Sequence, residues 1–168
     1  FFRTLREKNS LFKYNPEKIR AAMYLINTLF SDKRGFVFST SIDFSTVLQE
    51  QIEEASVMFH SKLGKKAKAK SMADFLSGDK RIINAVSSLD EGIDVPECDL
   101  GIVLDGDSSV RKVKQQLGRV IRATDDSSKK AIFINLCTPN TTEMSWAEKK
   151  FKNLNHLNVW KHEIDELI

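Results

Sequence analysis

The chain has 168 residues, of which 41% are hydrophobic and 29% charged, a balance typical of a globular protein with one core. Its formal net charge is only +3, so overall charge does not identify a partner. The sequence contains no apolar run of membrane-spanning length and no signal-peptide pattern. Cys98 and Cys137 are too few for a disulfide framework or a metal site. We therefore expect an intracellular protein, in the cytoplasm or, in a eukaryote, the nucleus, with no metal bound by this chain and no membrane partner.

The N-terminal segment predicts an arm followed by a helix. Residues 1–14 are mixed and basic, as in a linker from a preceding domain, and Phe1 rather than Met indicates a piece of a longer protein. Asn15 can cap a helix and Pro16 suits its first turn. Helical spacing then continues through the apolar residues Ile19, Ala22, Met23, Ile26, Leu29 and Phe30.

The first core strand is predicted at Gly35–Ser39, and a polar run follows it. The hydroxyls of Ser39 and Thr40, with nearby backbone N–H groups, could bind phosphate groups at the end of this strand. Capping of the next helix, from about residue 43 to residue 55, by Ser41 or Asp43 explains the run equally well. Both roles can coexist at a helix N-terminus.

The second strand is predicted at Ser56–Phe59 and ends at His60, a lone histidine to which we assign no chemistry. Residues 62–70 then contain five lysines and no acid. Such a segment can contact phosphates, although a solvated loop and helix start is the more common meaning of a charge run. The helix is predicted over residues 67–76, with Gly78 just past its end.

A third strand, residues 81–86, leads into the charged cluster DEGIDVP at residues 90–96. Gly92 allows a tight turn and a close backbone approach to a ligand. Asp94 can accept hydrogen bonds from a ribose hydroxyl. The apolar run Leu100–Leu104 then predicts a strand buried on both faces, which would carry the flanking polar clusters to one edge of a sheet.

A second cluster, QQLGRVIR at residues 115–122, has helical spacing. Positions i, i+3, i+4 and i+7 share one helix face, and they are occupied by Gln115, Gly118, Arg119 and Arg122. Arginine keeps its charge and its planar fork matches phosphate, so this face suits an oxygen-rich anion. The alternative is a solvated basic face. The buried side would come from Val113, Leu117, Val120 and Ile121.

The C-terminal third predicts a last strand within residues 129–137, then helices over residues 143–154 and 160–168. Trp146 and Trp160 are interpreted as packing residues. Strands that alternate with helices indicate an α/β fold with a mostly parallel sheet.

The two charged clusters together resemble motifs V and VI of superfamily 2 helicases and translocases, and the polar run after the first strand resembles motif IV. The resemblance extends over roughly residues 33–137 and concerns the second, C-terminal RecA-like domain of these motors, a three-layer α/β/α fold. It divides the chain into an arm (residues 1–14) and a helicase C-terminal domain (residues 15–168) whose helical extension covers about residues 143–168.

The resemblance also implies roles for individual residues. Arg119 and Arg122 would be arginine fingers that stabilise charge on the γ-phosphate, and Gln115 would position water or sense that phosphate. Gly92 and Asp94 would contact the nucleotide. Contacts to the nucleic-acid backbone would come from Ser39, Thr40 and Ser87. The family often has a threonine where Val86 stands, so Ser87 or Ser88 would have to supply that hydroxyl.

The sequence contains no GxxxxGK[ST] loop, so ATP and Mg²⁺ would be held mainly by an N-terminal RecA-like domain, and this fragment alone would be inactive. The EGIDVP form of motif V resembles repair, recombination, restriction and transcription-linked DNA motors, which favours DNA over RNA. Two alternatives stay open: a restriction or remodelling translocase that does not unwind, and a degenerate helicase-like module that only binds.

Overall fold

The computed structural model describes residues 11, 13–86, 98–106, 109–120 and 131–152, with the backbone alone at residues 110, 112, 113 and 119. The strands of this part are β1 (Gly35–Ser39), β2 (Ser56–Phe59), β3 (Ile82–Val86), β4 (Leu100–Val103) and β5 (Ile132–Asn135). The helices are α1 (Pro16–Tyr24), which continues as a π-helix (Leu25–Leu29), α2 (Ile42–Gln51), α3 (Lys65–Ser77), α4 (Val110–Val120) and α5 (Thr142–Phe151).

The strands form one sheet in the order β2-β3-β1-β4-β5, and every pair in it is parallel. Strand β1 is central, with Gly35 opposite both Ile82 and Leu100. Parallel strands require crossovers through helices on the faces of the sheet. The predicted α/β architecture is confirmed.

Alternate residues of β1 build two separate cores. Val37 packs in the cluster that contains α1 and α2, whereas Phe36 and Phe38 pack in the cluster that contains α3 and the end of α4. Helices therefore cover both faces of the sheet, and the two clusters make the three layers of the fold.

Several helix boundaries differ from those predicted, because tertiary contacts set them. Helix α2 ends at Gln51 rather than near residue 55, since Ile52 turns into the core and its carbonyl accepts the Ser56 hydroxyl at 2.9 Å. The single helix predicted through residue 30 changes at Leu25 into a π-helix, which the Phe30 N–H closes onto the Leu25 carbonyl at 2.8 Å. Gly78 ends α3 at φ +89°, as predicted.

Two glycines let neighbouring elements approach closely. A Cβ on Gly35 would lie 1.8 Å from the carbonyl oxygen of Leu100, so β1 and β4 can pair there only because Gly35 has no side chain. A Cβ on Gly101 would lie 2.8 Å from atoms of Phe133 and Val120. Gly101 therefore allows α4 to pack directly on β4.

Helices α1 and α5 are joined by an ion pair in the interior. The Lys18 ammonium lies 2.6 Å from the Glu143 carboxylate, and the two side chains are 4% and 5% exposed. The same carboxylate accepts the Thr138 N–H at 2.9 Å. A buried pair of this kind is costly to break, because removal of one partner leaves the other charge buried without compensation.

Replacement of Lys18 is expected to destabilise the protein strongly. Lys18→Met should lower the free energy of unfolding by about 3–5 kcal/mol, because Glu143 loses its counter-charge. The control is Arg20→Met on the same helix, which removes a solvent-exposed pair with Glu17 and should change stability little. Urea unfolding monitored by circular dichroism measures both, and equal stability of the two variants would contradict this account.

Alanine should change the stability of the protein in opposite directions at Gly101, on which α4 packs, and at Gly118, within α4. Gly101→Ala should lower the free energy of unfolding by about 1–3 kcal/mol, because the methyl group overpacks the contact with Phe133 and Val120. Gly118→Ala is the matched control. No described side chain lies within 4 Å of the new Cβ, so helix propensity should raise stability by up to about 1 kcal/mol. Thermal unfolding of both variants checks this, and a Gly101→Ala protein as stable as the wild type would refute the packing argument.

Candidate functional site

Two surfaces carry the described candidate residues. The first is the edge where the parallel strands end, with Ser39 as the last residue of β1 and Thr40 after it, and with His60 after β2 and Asp105 after β4. The second is the solvent side of α4, with Gln115 and Gly118. The second cluster was expected at the same edge. In the structure α4 begins near that edge, but the end of α4 packs on Gly101 near the start of β4. Gln115 therefore lies midway along α4, between the two edges of the sheet.

The turn after β1 is held by a carboxylate that the sequence analysis did not identify. Asp105 is 2% exposed and accepts hydrogen bonds from the hydroxyls of Ser39 and Thr40 and, at 2.9 Å, from the Thr40 N–H. Ser39 is itself buried, whereas Thr40 is exposed. The available sequence signal was an aspartate directly after the apolar run of β4, followed by Gly106.

Ser41 caps α2, which confirms the predicted capping role for this polar run. Its hydroxyl oxygen accepts the Phe44 N–H at 3.2 Å, so Ser41 rather than Asp43 is the N-cap. One turn later, the Ser45 hydroxyl donates to the Asn84 side chain at 2.5 Å, and the Asn84 amide donates to the Ser45 carbonyl at 2.9 Å. Both residues are fully buried, so this pair fixes α2 against β3.

The edge has a basic segment beside it. Lysines 62, 65, 66 and 70 are exposed, Lys68 is half-buried, and α3 starts among them at Gly64 with no side-chain cap. Burial, and then the charges of Lys62 and Lys68, lower the pKa of His60 at the end of β2. The N-terminal dipole of α3 adds to the positive potential of this corner.

Helix α4 presents a polar side to solvent and an apolar side to the sheet. Leu117 and Val120 are buried, whereas Gln115 and Gly118 are exposed. The backbone of Arg119 continues α4 one turn beyond Gln115, and its side chain is outside the described atoms. The predicted residues Ser87, Gly92, Asp94 and Arg122 also lie outside the described residues.

An open groove of about 660 Å³ lies at the opposite edge of the sheet, far from these candidates. Its wall includes Glu50, Glu53, Asp79 and Arg81. Burial lowers the pKa of Arg81, whose guanidinium already donates to the carbonyls of the π-helix region. The Arg81 guanidinium is thus used in contacts that hold the fold together. The groove wall contains none of the residues predicted to bind nucleotide or nucleic acid.

Among the described residues there is no group of three or more His, Cys, Asp or Glu side chains that could hold a metal ion. No described helix has both the length and the apolar character needed to cross a membrane.

The chain matches a family model described as the helicase conserved C-terminal domain over residues 17–124. It is 33% identical over 89 residues to the DNA 3'-5' translocase XPB2 of Sulfurisphaera tokodaii, an alignment that covers 53% of this chain and 20% of that relative's length.

Solved structures with the same fold include three proteins of low identity. S. cerevisiae Dbp5 superposes with a TM-score of 0.72 at 16% identity, covering 90% of this chain and 40% of that one. The second domain of the DEAD-box helicase Mss116p, bound to an RNA duplex, gives 0.65 at 16%, covering 86% and 57%. The Pyrococcus furiosus Hef helicase domain gives 0.59 at 19%, covering 77% and 28%. The family match shows that the chain belongs to the helicase conserved C-terminal domain family, and its fold is that of the second RecA-like domain of superfamily 2 helicases and translocases.

Proposed function

We propose that this chain is the C-terminal motor domain of an ATP-driven nucleic-acid helicase or translocase that acts on DNA. It would form one wall of a nucleotide cleft, and an N-terminal RecA-like domain would form the other. The absence of a P-loop in the 168 residues supports this division, because nothing here can cradle the β- and γ-phosphates and hold Mg²⁺. By itself the chain would therefore not hydrolyse ATP.

The observation that carries the proposal is the open position of Gly118. This residue lies exposed within α4, where glycine costs about 1 kcal/mol relative to alanine. Apart from its two chain neighbours and the backbone of its own helix, no described atom lies within 4 Å of the place its Cβ would occupy, so no described side chain requires a glycine there. Close approach of a group outside the domain explains why a side chain is absent there.

The residues around Gly118 suit a phosphate-rich ligand. Gln115 is exposed one turn before it, with an amide that can donate to an oxygen or orient a water molecule. Arg119 and Arg122 follow in the sequence at the i+4 and i+7 spacing from Gln115 that predicts a shared helix face, and they would stabilise negative charge that grows on the γ-phosphate. Gly92 and Asp94 would hold the ribose. Hydrolysis of bound ATP would supply the free energy of movement.

The edge of the sheet would contact the nucleic-acid backbone. Ser39 and Thr40 lie there, Val86 ends β3 opposite Ser39, and Ser87 is the next residue of the chain. The lysines of residues 62–70 supply positive charge beside the edge. The DNA assignment rests on the name of the XPB2 relative and on the EGIDVP form of motif V. The same relative is named a translocase, which favours movement along DNA without unwinding as the second candidate.

Arg122→Ala in the complete motor protein is expected to remove nucleic-acid-stimulated ATP hydrolysis. An arginine finger acts mainly on the transition state, so turnover should fall by roughly 10³-fold or more while ATP affinity changes little. Arg122→Lys should restore little, because a point charge lacks the planar fork. Steady-state ATPase assays and nucleotide titrations measure the two quantities.

The control is Arg111→Ala, which removes an exposed arginine from the first turn of α4 and should leave turnover unchanged. Melting temperatures of all variants separate catalysis from folding. Near-normal hydrolysis in a stably folded Arg122→Ala protein would refute the finger assignment and would favour a degenerate binding module.

Gly118→Ala in the complete motor protein should retain stability yet lower ATP hydrolysis, because the added methyl group obstructs the approaching ligand.

Binding of this chain to DNA should be weak and steeply salt-dependent, because its contacts would be mainly to phosphates. Titration of a fluorescent oligonucleotide over a salt series gives the slope, which should be similar for different base sequences of equal length. Tight binding that salt hardly changes would indicate stacking or base readout instead and would contradict the proposed edge.

A further inference from the structure

The carboxylate of Asp105 joins the ends of two adjacent strands. It follows β4, and all three of its described donors come from Ser39 and Thr40 at the end of β1. The chain leaves β1 toward α2 on one face of the sheet and leaves β4 toward α4 on the other. Asp105 therefore lies in the crevice between these connections, where open α/β sheets bind ligands.

This contact occupies the hydrogen-bond donors of the turn. A hydroxyl has a single proton to donate. The Thr40 hydroxyl donates to Asp105, and the Ser39 hydroxyl is shared between Asp105 and the Ser41 carbonyl at 3.1 Å. The Thr40 N–H is directed to Asp105 as well. In this conformation neither hydroxyl nor the Thr40 N–H is available to a phosphate.

A phosphate that reached Thr40 would therefore compete with Asp105. Thr40 is exposed and can redirect its donors, whereas Ser39 is buried and would stay with the carboxylate. The exchange would leave a buried carboxylate with fewer donors, and it would bring a second negative charge beside it. Both effects oppose phosphate binding.

We propose that Asp105 sets the affinity of this edge for nucleic-acid phosphates, because it holds the Thr40 donors in the free domain and yields them only in exchange for a phosphate. The inference rests on the proposed function, since it concerns the same nucleic-acid track. A motor must release its track in every cycle, and an internal competitor for the same donors limits how tightly the track is held.

The test is Asp105→Asn, which keeps the size of the side chain and one acceptor oxygen but removes the charge. At fixed ionic strength the variant should bind a fluorescent DNA oligonucleotide about three- to tenfold more tightly than the wild type. The matched control is Asp99→Asn. Asp99 precedes β4 at the opposite edge, where it accepts the Arg34 N–H at 2.9 Å, so the same change in charge should leave affinity unaltered.

Thr40→Val provides the second variant, and it tests the proposal even if Asp105→Asn fails to fold. Valine lacks the hydroxyl that would pass to the phosphate, so binding should weaken several-fold. The gain from Asp105→Asn should be smaller in the double variant, which keeps only the backbone N–H of residue 40 to pass to the phosphate. Unchanged binding by Thr40→Val would overturn the inference.

Equal or weaker binding by a folded Asp105→Asn protein would also overturn it, while salt-dependent binding by the wild type would leave the proposed function intact. If the wild type bound no DNA at any salt concentration, the proposed function would fail and this inference with it.

Discussion

The central position of β1, paired in parallel on both sides, is the constraint on which the rest of the structure depends. Its pairing with β4 requires Gly35, because any side chain there would collide with the Leu100 carbonyl. Its alternating side chains separate the two cores, with Val37 on one face and Phe36 and Phe38 on the other. Since all strands run the same way, their polar ends meet at one edge, and Asp105 can reach the turn after β1.

Buried polar contacts then select one arrangement of the helices. Apolar packing alone would tolerate small shifts of α2 and α5 on the sheet, since the hydrophobic effect is not directional. The Ser45–Asn84 hydrogen bonds fix α2 against β3, and the Lys18–Glu143 ion pair fixes α1 against α5. Each contact has a geometry that a shifted helix could not satisfy, and an unsatisfied buried group is costly.

The two candidate surfaces differ in how their polar groups are used. At the strand edge, the donors of Ser39 and Thr40 already have an internal partner, so a ligand must compete for them. On α4, Gln115 and Gly118 face solvent, and the glycine leaves room for a group from outside. This difference fits the proposed motor, in which the track would be held and released repeatedly while the nucleotide wall would stay open to its partner domain.

The sequence by itself determined which of the described segments are strands and which are helices, although not where each helix ends, because these choices depend on local periodicity and turn chemistry. It also determined which side of α4 is buried, since Leu117 and Val120 lie opposite Gln115 on any α-helix. Only the tertiary structure decided the strand order, the π-helix after Tyr24 and the partner of Asp105, which is 66 residues from Ser39 along the chain. The pairing of Lys18 with Glu143, 125 residues apart along the chain, could not be predicted from the sequence for the same reason. No local pattern states which distant segments meet, because their contact is set by the packing of the whole sheet.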